Sequence, residues 1–237
     1  MFEKRSCETE LIDDLALAGP ALTQNLRELE GVNRWLGGKR TLISALNRVY
    51  RKHRGSLEGR RVTIADLGCG GGDLLAAIHD WANERGLDAE LVGIDANPVV
   101  IEYAVRRSRG FRNMRFETID VLSPELDRFR FDIVCLNTFC HHLSDANLAR
   151  LMRRLDDRTS TAIIVNDLHR HWLAYASIRV LSRALDLSHL ARHDGPVSVL
   201  RAFRRHELMD VLERSNIEGY DIRWRWPFRW ELIVWTG

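Results

Sequence analysis

The sequence of 237 residues is 45% hydrophobic, which is enough apolar material for one sizeable core in an α/β domain with an appendage. Its formal net charge is +2 and its basic and acidic residues are interspersed, so no polybasic stripe points to a nucleic-acid partner. No run approaches the roughly 20 apolar residues of a membrane span, and the acidic N-terminal segment lacks the apolar core of a signal peptide.

Residues 1–59 predict a helical arm that precedes the main domain. Apolar residues recur at helical spacing on one face, stop at a pair of glycines and then resume. The first group is Leu22, Leu26, Leu29 and Val32, the joint is Gly37 and Gly38, and the second group is Leu42, Leu46 and Val49. We therefore expect two amphipathic helices with a glycine joint.

Residues 60–237 alternate between short apolar runs and amphipathic stretches. The runs predict strands over residues 61–68, 89–96, 114–120, 131–138, 161–167, 220–226 and 230–237. The stretches predict helices over residues 72–86, 97–109, 145–157 and 204–216. This alternation indicates a parallel sheet with helices on both faces, a Rossmann-like doubly wound fold of seven strands. The last two strands are joined by little more than Pro227 and Phe228, which is too short for a helical crossover, so they form an antiparallel hairpin at one edge.

Residues 169–204 do not follow the alternation and are predicted to be a helical insertion. Their apolar residues at helical spacing are Trp172, Tyr175, Ile178 and Leu181. The length and apolarity of the segment suggest a cover over the functional site. An additional helix that completes the core is an equally open alternative.

The stretch VTIADLGCGGGD follows the first strand and opens the first helix of the domain. Ligands of open α/β sheets bind at this place, at the carboxyl ends of the strands. A dinucleotide fingerprint needs a third glycine where this chain has Asp73. Because a carboxylate at a helix N-terminus repels a pyrophosphate, the loop favours a ligand that carries positive charge.

The pattern Asp66, Gly68, Gly70, Gly72 resembles the glycine loop of class I S-adenosylmethionine-dependent methyltransferases. Further matching motifs are LVGIDANP, RFETIDVLSP and FDIVCLNTFCHHLSD, each at the end of a predicted strand. The resemblance implies S-adenosylmethionine as the cofactor. It also implies a set of cofactor-binding residues, namely Asp66, Gly68, Cys69, Gly70, Asp95, Ala96, Asp120, Val121 and Asn137.

The family resemblance also assigns parts of the cofactor to single residues. Asp95 binds the ribose hydroxyls, and Ala96 lies beside the adenine. Asp120 accepts from the adenine amino group, and the backbone N–H of Val121 reaches a ring nitrogen. Arg40, directly after the glycine joint of the arm, is a candidate partner for the methionine carboxylate.

Histidines are the candidate bases, because an imidazole with a pKa near 6.5 suits a phenol or an enol. His141 and His142 follow the fourth strand, close to the expected position of the methyl group, and are predicted to be catalytic. Asp167, His169 and His193 are predicted to line the acceptor pocket.

No metal site is expected from the sequence. A catechol-type site lacks a third ligand beside Asn166 and Asp167. The tripeptide Cys140–His142 is discounted because adjacent residues rarely converge on one ion.

The sequence therefore predicts a methyltransferase that acts on oxygen or carbon of a small aromatic, polyketide-like or quinone-like acceptor, as in secondary metabolism. Two other hypotheses are a non-catalytic S-adenosylmethionine-binding or scaffold protein and a nicotinamide-dependent oxidoreductase, the latter disfavoured by Asp73. Four cysteines without a CxxC pair favour a reducing, cytoplasmic location. The insertion and the edge hairpin are the candidate surfaces for an oligomer.

Overall fold

The computed structural model describes residues 2–236, which form a seven-stranded sheet in the order β3-β2-β1-β4-β5-β7-β6. The strands are β1 Val62–Leu67, β2 Ala89–Asp95, β3 Met114–Thr118, β4 Phe131–Asn137, β5 Thr159–Leu168, β6 Tyr220–Arg225 and β7 Arg229–Trp235. The first five are parallel, and β7 runs antiparallel to both β5 and β6. The predicted fold class is therefore confirmed, and of the predicted last strand only Gly237 lies outside the described residues.

Eight α-helices accompany the sheet within residues 2–236. They are α1 Pro20–Trp35, α2 Gly38–Leu57, α3 Asp73–Asn83, α4 Pro98–Arg107, α5 Asp145–Asp156, α6 Trp172–Ala184, α7 His189–Arg201 and α8 Arg205–Arg214. The predicted glycine joint separates α1 from α2, where Gly37 adopts a left-handed φ of 81°. None of these helices combines the length and apolarity needed to cross a bilayer.

The core lies on both faces of the sheet. One face is covered by α5 and α8, and the other by α2 and α3. Leu42 and Leu46 of α2 are fully buried in the same cluster as Ile64 of β1. The second helix of the predicted arm thus packs directly against the sheet, whereas only two apolar residues of the first helix, Leu22 and Leu26, are buried.

The insertion contains two helices, α6 and α7, where the sequence predicts one. The second was missed because its apolar residues follow no clear helical stripe and because Pro196 stands inside it. Ser188 caps its N-terminus by accepting a hydrogen bond from the backbone N–H of Ala191 at 3.3 Å. The two helices pack against each other, and α7 also packs against α1 and against residues 11–13.

The extended segment before α1 is anchored on α7. The backbone N–H groups of Leu11 and Ile12 donate to the carboxylate of Asp194 at 2.8 and 3.0 Å. The N–H of Ser6 donates to the carbonyl of Leu200 at 3.0 Å. Residues 6–12 are therefore held against α7.

Candidate active site

A cavity of about 740 Å³ opens at the carboxyl ends of the strands. It lies within the range of about 300–1,000 Å³ that holds small ligands in proteins. Thirteen of the fifteen predicted cofactor, catalytic and pocket residues line it. These are Arg40, Asp66, Gly68, Cys69, Gly70, Asp95, Ala96, Asp120, Val121, Asn137, His141, His142 and His169.

The glycine loop after β1 turns through left-handed backbone conformations. Gly68 has a φ of 70°, and a Cβ at this position would lie 2.2 Å from the ring of Phe139. Only glycine fits both constraints at once. The N–H of Gly70 donates to Asp95 Oδ2 at 3.1 Å, which ties the loop to the end of β2.

Three carboxylates form an acidic cradle beneath the loop, and we use this name for Asp66, Asp73 and Asp95. Burial, together with the charges of Asp73 and Asp95, raises the pKa of Asp66 to about 8 in spite of a hydrogen bond from Asn137 Nδ2 at 2.9 Å. Burial likewise raises the pKa values of Asp73 and Asp95. Because crowded buried acids favour a positive partner, the cradle suits a cationic ligand.

The remaining predicted cofactor residues lie at the ends of β2 and β3. Asp95 Oδ1 accepts from the N–H of Asn97 at 3.0 Å, so both of its oxygens are held in place. Asp120 is exposed, and its Oδ1 accepts from the N–H of Leu122 at 2.8 Å. Val121 is buried beside it.

His141 belongs to a buried pair with Asp167. Its Nδ1 lies 2.7 Å from Asp167 Oδ1, and its backbone N–H donates to Asp167 Oδ2 at 3.1 Å. Burial opposes ionisation of Asp167, but the adjacent His141 outweighs it and lowers the pKa of Asp167. The ionised carboxylate fixes the ring, so that the Nε2 of His141 is the nitrogen left for other partners.

His142 forms a second pair, with Asp13 of the N-terminal segment. Its Nδ1 lies 2.6 Å from Asp13 Oδ1. Arg201 binds the other oxygen of Asp13 and also donates to the carbonyl of His142 at 2.8 Å. Burial would raise the pKa of Asp13, but hydrogen bonds from His142 and Arg201 lower it. The His142 side chain keeps 20% of its surface exposed, whereas His141 keeps 1%.

Glu10 lies between the two imidazoles. Its Oε1 is 3.6 Å from His141 Nε2 and 3.9 Å from His142 Nδ1, and it is without a hydrogen-bond partner among residues 2–236. Its Oε2 accepts from Ser198 Oγ at 2.6 Å. Burial raises the pKa of Glu10 to about 7 in spite of nearby positive charge. Glu10 can therefore gain or lose a proton near neutral pH.

The sequence analysis discounted a metal at His141 and His142 because adjacent residues rarely converge on one ion. The structure corrects that argument, because the two side chains do converge, together with Glu10. One ligand atom each from Glu10, His141 and His142 lie within 4.8 Å of one another, because the adjacent histidines share a 3-10 turn and their rings lie 4.3 Å apart. However, Arg201 already places a guanidinium nitrogen 3.6 Å from Glu10 Oε1. A divalent cation would meet that like charge, so the absence of a metal stays a prediction.

A model of the methyltransferase domain matches residues 59–189, more than half of the chain. The chain belongs to this methyltransferase family. The sequence-based assignment to the class I S-adenosylmethionine-dependent family is thereby confirmed, and the oxidoreductase hypothesis no longer stands. Two curated relatives, carboxy-S-adenosyl-L-methionine synthases of Helicobacter pylori strains G27 and P12, are 37% identical over 62 residues. That segment is 26% of this chain and spans only about a quarter of each relative.

Solved structures share the fold of this methyltransferase at low sequence identity. The plantazolicin methyltransferase BpumL, in complex with a triazolic desmethylPZN analog and SAH, is 15% identical with a TM-score of 0.65, and the match covers 90% of each chain. Human N-acetylserotonin methyltransferase in complex with SAM is 14% identical with a TM-score of 0.62, covering 92% of this chain and 56% of that one. Both comparisons establish the fold.

Two of the predicted pocket residues do not line the cavity in the structure. Asp167 is fully buried behind His141 and does not line the cavity, because its carboxylate is occupied by that residue. His193 lies on α7, with its Nδ1 2.8 Å from Asp194 Oδ1, and it also does not line the cavity. His169 does line it and accepts from Trp224 Nε1 at 3.2 Å. Burial and nearby cations lower the pKa of His169 to about 4.

Arg229, at the start of β7, is a cavity residue that the sequence analysis missed. Its guanidinium is buried and donates to the carbonyl of Leu36 at 2.9 Å and to Thr138 Oγ1 at 3.1 Å. Its Nη2 is buried without a partner among the described residues, and burial lowers its pKa to about 10. Arg40, the predicted carboxylate ligand, is exposed and donates to the carbonyl of Trp226 at 2.9 Å.

Proposed function

We propose that this methyltransferase binds S-adenosylmethionine over the acidic cradle and transfers its methyl group to oxygen or carbon of a small aromatic, polyketide-like or quinone-like acceptor. The observation that carries the proposal is the shared cavity. The acidic cradle and the His142–Asp13 pair open into the same space. A cation site beside an oriented base is the arrangement that methyl transfer to an ionisable acceptor requires.

The donor set fits the cofactor chemically. When bound, S-adenosylmethionine supplies an electrophilic methyl group on a positively charged sulfur. Asp95 would accept from the ribose hydroxyls, and Asp120 with Val121 would border the adenine. Asp66 would face the ammonium group of the methionine part. The raised pKa values of the cradle favour this assignment, because a cation stabilises the ionised acids.

We assign the methionine carboxylate to Arg229 in preference to Arg40. A chain of hydrogen bonds connects Arg229 to the cradle. In order, Arg229 Nη1 donates to Asn166, Asn166 Nδ2 donates to Asn137, and Asn137 Nδ2 donates to Asp66. A buried acid and a buried cation therefore stand at the two ends of one short network. The zwitterionic end of an amino acid satisfies both, and the unpartnered Nη2 of Arg229 is free for its carboxylate.

His142 is our candidate for the base that touches the acceptor. It is the more exposed imidazole, and ionised Asp13 can orient the ring and stabilise the imidazolium that forms. His141 lies deeper, where Asp167 fixes its ring, and we assign it a positioning role beside His142. A proton taken by His142 Nε2 from an acceptor hydroxyl or enol would leave an imidazolium whose Nδ1–H faces Asp13, and the exposed part of the ring allows that proton to return to solvent.

The cavity walls support a small lipophilic acceptor. The wall formed by the insertion is mostly apolar and includes Ala174, Ile178, Leu181 and Val199. The proteins with the same fold are named for plantazolicin and N-acetylserotonin, which is in keeping with a small-molecule acceptor here. The non-catalytic alternative expects the insertion to fill the acceptor space, whereas α6 and α7 border an open cavity. The cytoplasmic location and the oligomeric state stay predictions.

The test is transfer of label from methyl-tritiated S-adenosylmethionine to a panel of phenols, quinols and polyketides of increasing lipophilicity. We expect label in at least one apolar acceptor with an ionisable hydroxyl or enol, with equimolar S-adenosylhomocysteine formed. S-adenosylmethionine binding without turnover on any member of the panel would favour the non-catalytic alternative. A chelator added in parallel tests the metal prediction, since we expect the rate to be unchanged.

A further inference from the structure

The surface around the cavity mouth carries large apolar side chains that face solvent. We call four tryptophans there the aromatic rim: Trp35, Trp172, Trp224 and Trp226. The exposed fractions of Trp35, Trp226 and Trp172 are 78%, 65% and 59%. A contiguous exposed apolar patch on a protein surface marks an interaction site more often than isolated exposed residues do.

The rim is continuous from the edge hairpin to the insertion. Trp224 and Trp226 are neighbours at a ring distance of 6.3 Å, and Trp226 lies 6.0 Å from Phe228. His171 then bridges Phe228, at 5.1 Å, and Trp172, at 6.0 Å. The helix α6 begins at this point, so the rim leads directly onto its surface.

The outer face of α6 extends the rim. Four apolar residues on one face of this helix are exposed, at successive spacings of three, four and four residues. We call them the outer stripe: Leu173, Ala176, Val180 and Ala184. Val180 is 68% exposed. The opposite face carries Ser182, the one buried residue of the helix, while Ile178 and Leu181 line the cavity. The helix therefore presents apolar groups both to the cavity and to solvent.

The charged residues of α6 limit which kind of partner can cover the aromatic rim and the outer stripe. The sequence of α6 contains no acidic residue, and its two charged residues are Arg179 and Arg183, both exposed beside the outer stripe. Among residues 2–236 neither makes an ion pair with a carboxylate. The nearest acid along the chain, Asp186, is paired with Arg192. Uncompensated arginines beside exposed tryptophan and aliphatic side chains match an anionic lipid surface.

We propose that the aromatic rim and the outer stripe form a docking surface for the interface of an anionic lipid bilayer. Tryptophan prefers the headgroup level of a membrane, where its ring is in the apolar region and its N–H is hydrated. The outer stripe enters the acyl boundary, and Arg179 and Arg183 contact acidic headgroups. The surface borders the cavity mouth, because Trp35 and Trp226 also line the cavity. The cavity would thus open toward the membrane. The proposal goes beyond the proposed function and does not depend on the identity of the acceptor.

The test is co-sedimentation of the full chain with phosphatidylcholine vesicles and with 3:1 phosphatidylcholine–phosphatidylglycerol vesicles. We expect binding to the anionic vesicles that weakens at high salt. Arg179→Gln with Arg183→Gln should weaken it about 25-fold, roughly fivefold for each arginine. Leu173→Gln with Val180→Gln should weaken it by about tenfold or more on both vesicle types.

Matched controls are exposed residues on other helices. Val105→Gln on α4 controls for the outer stripe, and Arg51→Gln with Arg150→Gln on α2 and α5 controls for the arginines. These controls should bind vesicles like the parent chain. Titration with S-adenosylhomocysteine and the thermal midpoint of each variant report separately on the cofactor site and on folding. If the double stripe variant does not fold, Val180→Gln alone replaces it.

Three results would overturn the proposal. One is no association with the anionic vesicles. The second is association that neither double variant weakens. The third is a vesicle-free dimer, seen by sedimentation velocity, that Leu173→Gln with Val180→Gln converts to monomer, because the surface would then seat a second copy of the chain.

Discussion

The two halves of the cavity are assembled in different ways. Most cofactor residues lie at the carboxyl end of a parallel strand or in the loop after it, as Asp66 lies next to the last residue of β1 and Asp95 ends β2. The acceptor half instead combines residues far apart in the chain, such as Asp13, His142 and Arg201. Strand ends are set by local periodicity, whereas the acceptor half depends on how the N-terminal segment and the insertion pack over the sheet.

This difference suggests how the two halves should respond to change. A substitution in the acceptor half should affect turnover and leave cofactor affinity intact, because the cradle is held by the sheet. A substitution in the cradle should affect cofactor affinity first. The predictions below test this separation and the sheet core that supports it, beginning with the largest expected effect.

His142→Gln should separate the two halves most clearly. We expect kcat to fall by roughly 10²–10⁴-fold, since a general base contributes about that much to proton transfer. Affinity for S-adenosylhomocysteine should stay within about twofold. The measurement combines the tritium transfer assay with a calorimetric titration. His206→Gln, an exposed histidine of α8, serves as control. Equal turnover by His142→Gln and the parent chain would remove His142 as the base.

Leu46→Ala tests whether α2 is part of the domain core. Leu46 is fully buried against the sheet, so its truncation should lower the free energy of unfolding by about 2–4 kcal/mol. Urea denaturation measures the loss, with exposed Leu15→Ala as control. An unchanged urea midpoint for Leu46→Ala would mean that residues 1–59 fold apart from the remaining domain.

Arg229→Met compares the two candidate carboxylate ligands within the cofactor half. We expect affinity for S-adenosylmethionine to fall by about 10–100-fold, the effect of losing a buried charge-assisted hydrogen bond. Decarboxylated S-adenosylmethionine should bind the variant and the parent chain with similar affinity. Arg40→Gln should change neither affinity by more than about twofold. The reverse result, a large effect of Arg40→Gln and a small one of Arg229→Met, would restore the assignment made from the sequence.

The cradle should give cofactor binding a pH dependence. The pKa of Asp66 is raised to about 8, so this acid is largely protonated at pH 6 and must lose its proton to pair with a cation. Affinity for S-adenosylmethionine should therefore increase about 50-fold between pH 6 and pH 8, as the ionised fraction of Asp66 rises. Asp66→Asn should bind more weakly and lose this dependence. A parent chain whose affinity is the same at both pH values would contradict the role given to Asp66.

The fold and the cofactor half were accessible from the sequence because their signals are local. Alternating apolar runs indicate the strands, and the glycine loop from Asp66 to Gly72 indicates where the ligand binds. The short connection at Pro227 and Phe228 between the last two strands indicates the antiparallel hairpin. Each of these features is complete within a few dozen residues.

The acceptor half was only partly accessible because its partners are distant in sequence. Glu10 and Asp13 lie in an acidic N-terminal segment that has no periodic pattern, and nothing near His142 indicates that Asp13 contacts it. Arg229 left one weak signal, a charged residue at the start of a mostly apolar strand. The helix α7 was not predicted because Pro196 lies inside it and interrupts the helical pattern.

The central claim is tested most directly by calorimetric titration with S-adenosylmethionine, S-adenosylhomocysteine and NADH, on the parent chain and on Asp95→Ala. Asp88→Ala, an exposed acid before β2, serves as the matched control. We predict saturable binding of the first two ligands, no binding of NADH, and loss of both affinities in Asp95→Ala only. Binding of S-adenosylmethionine that Asp95→Ala leaves unaltered, or no binding by a folded parent chain, would contradict the account.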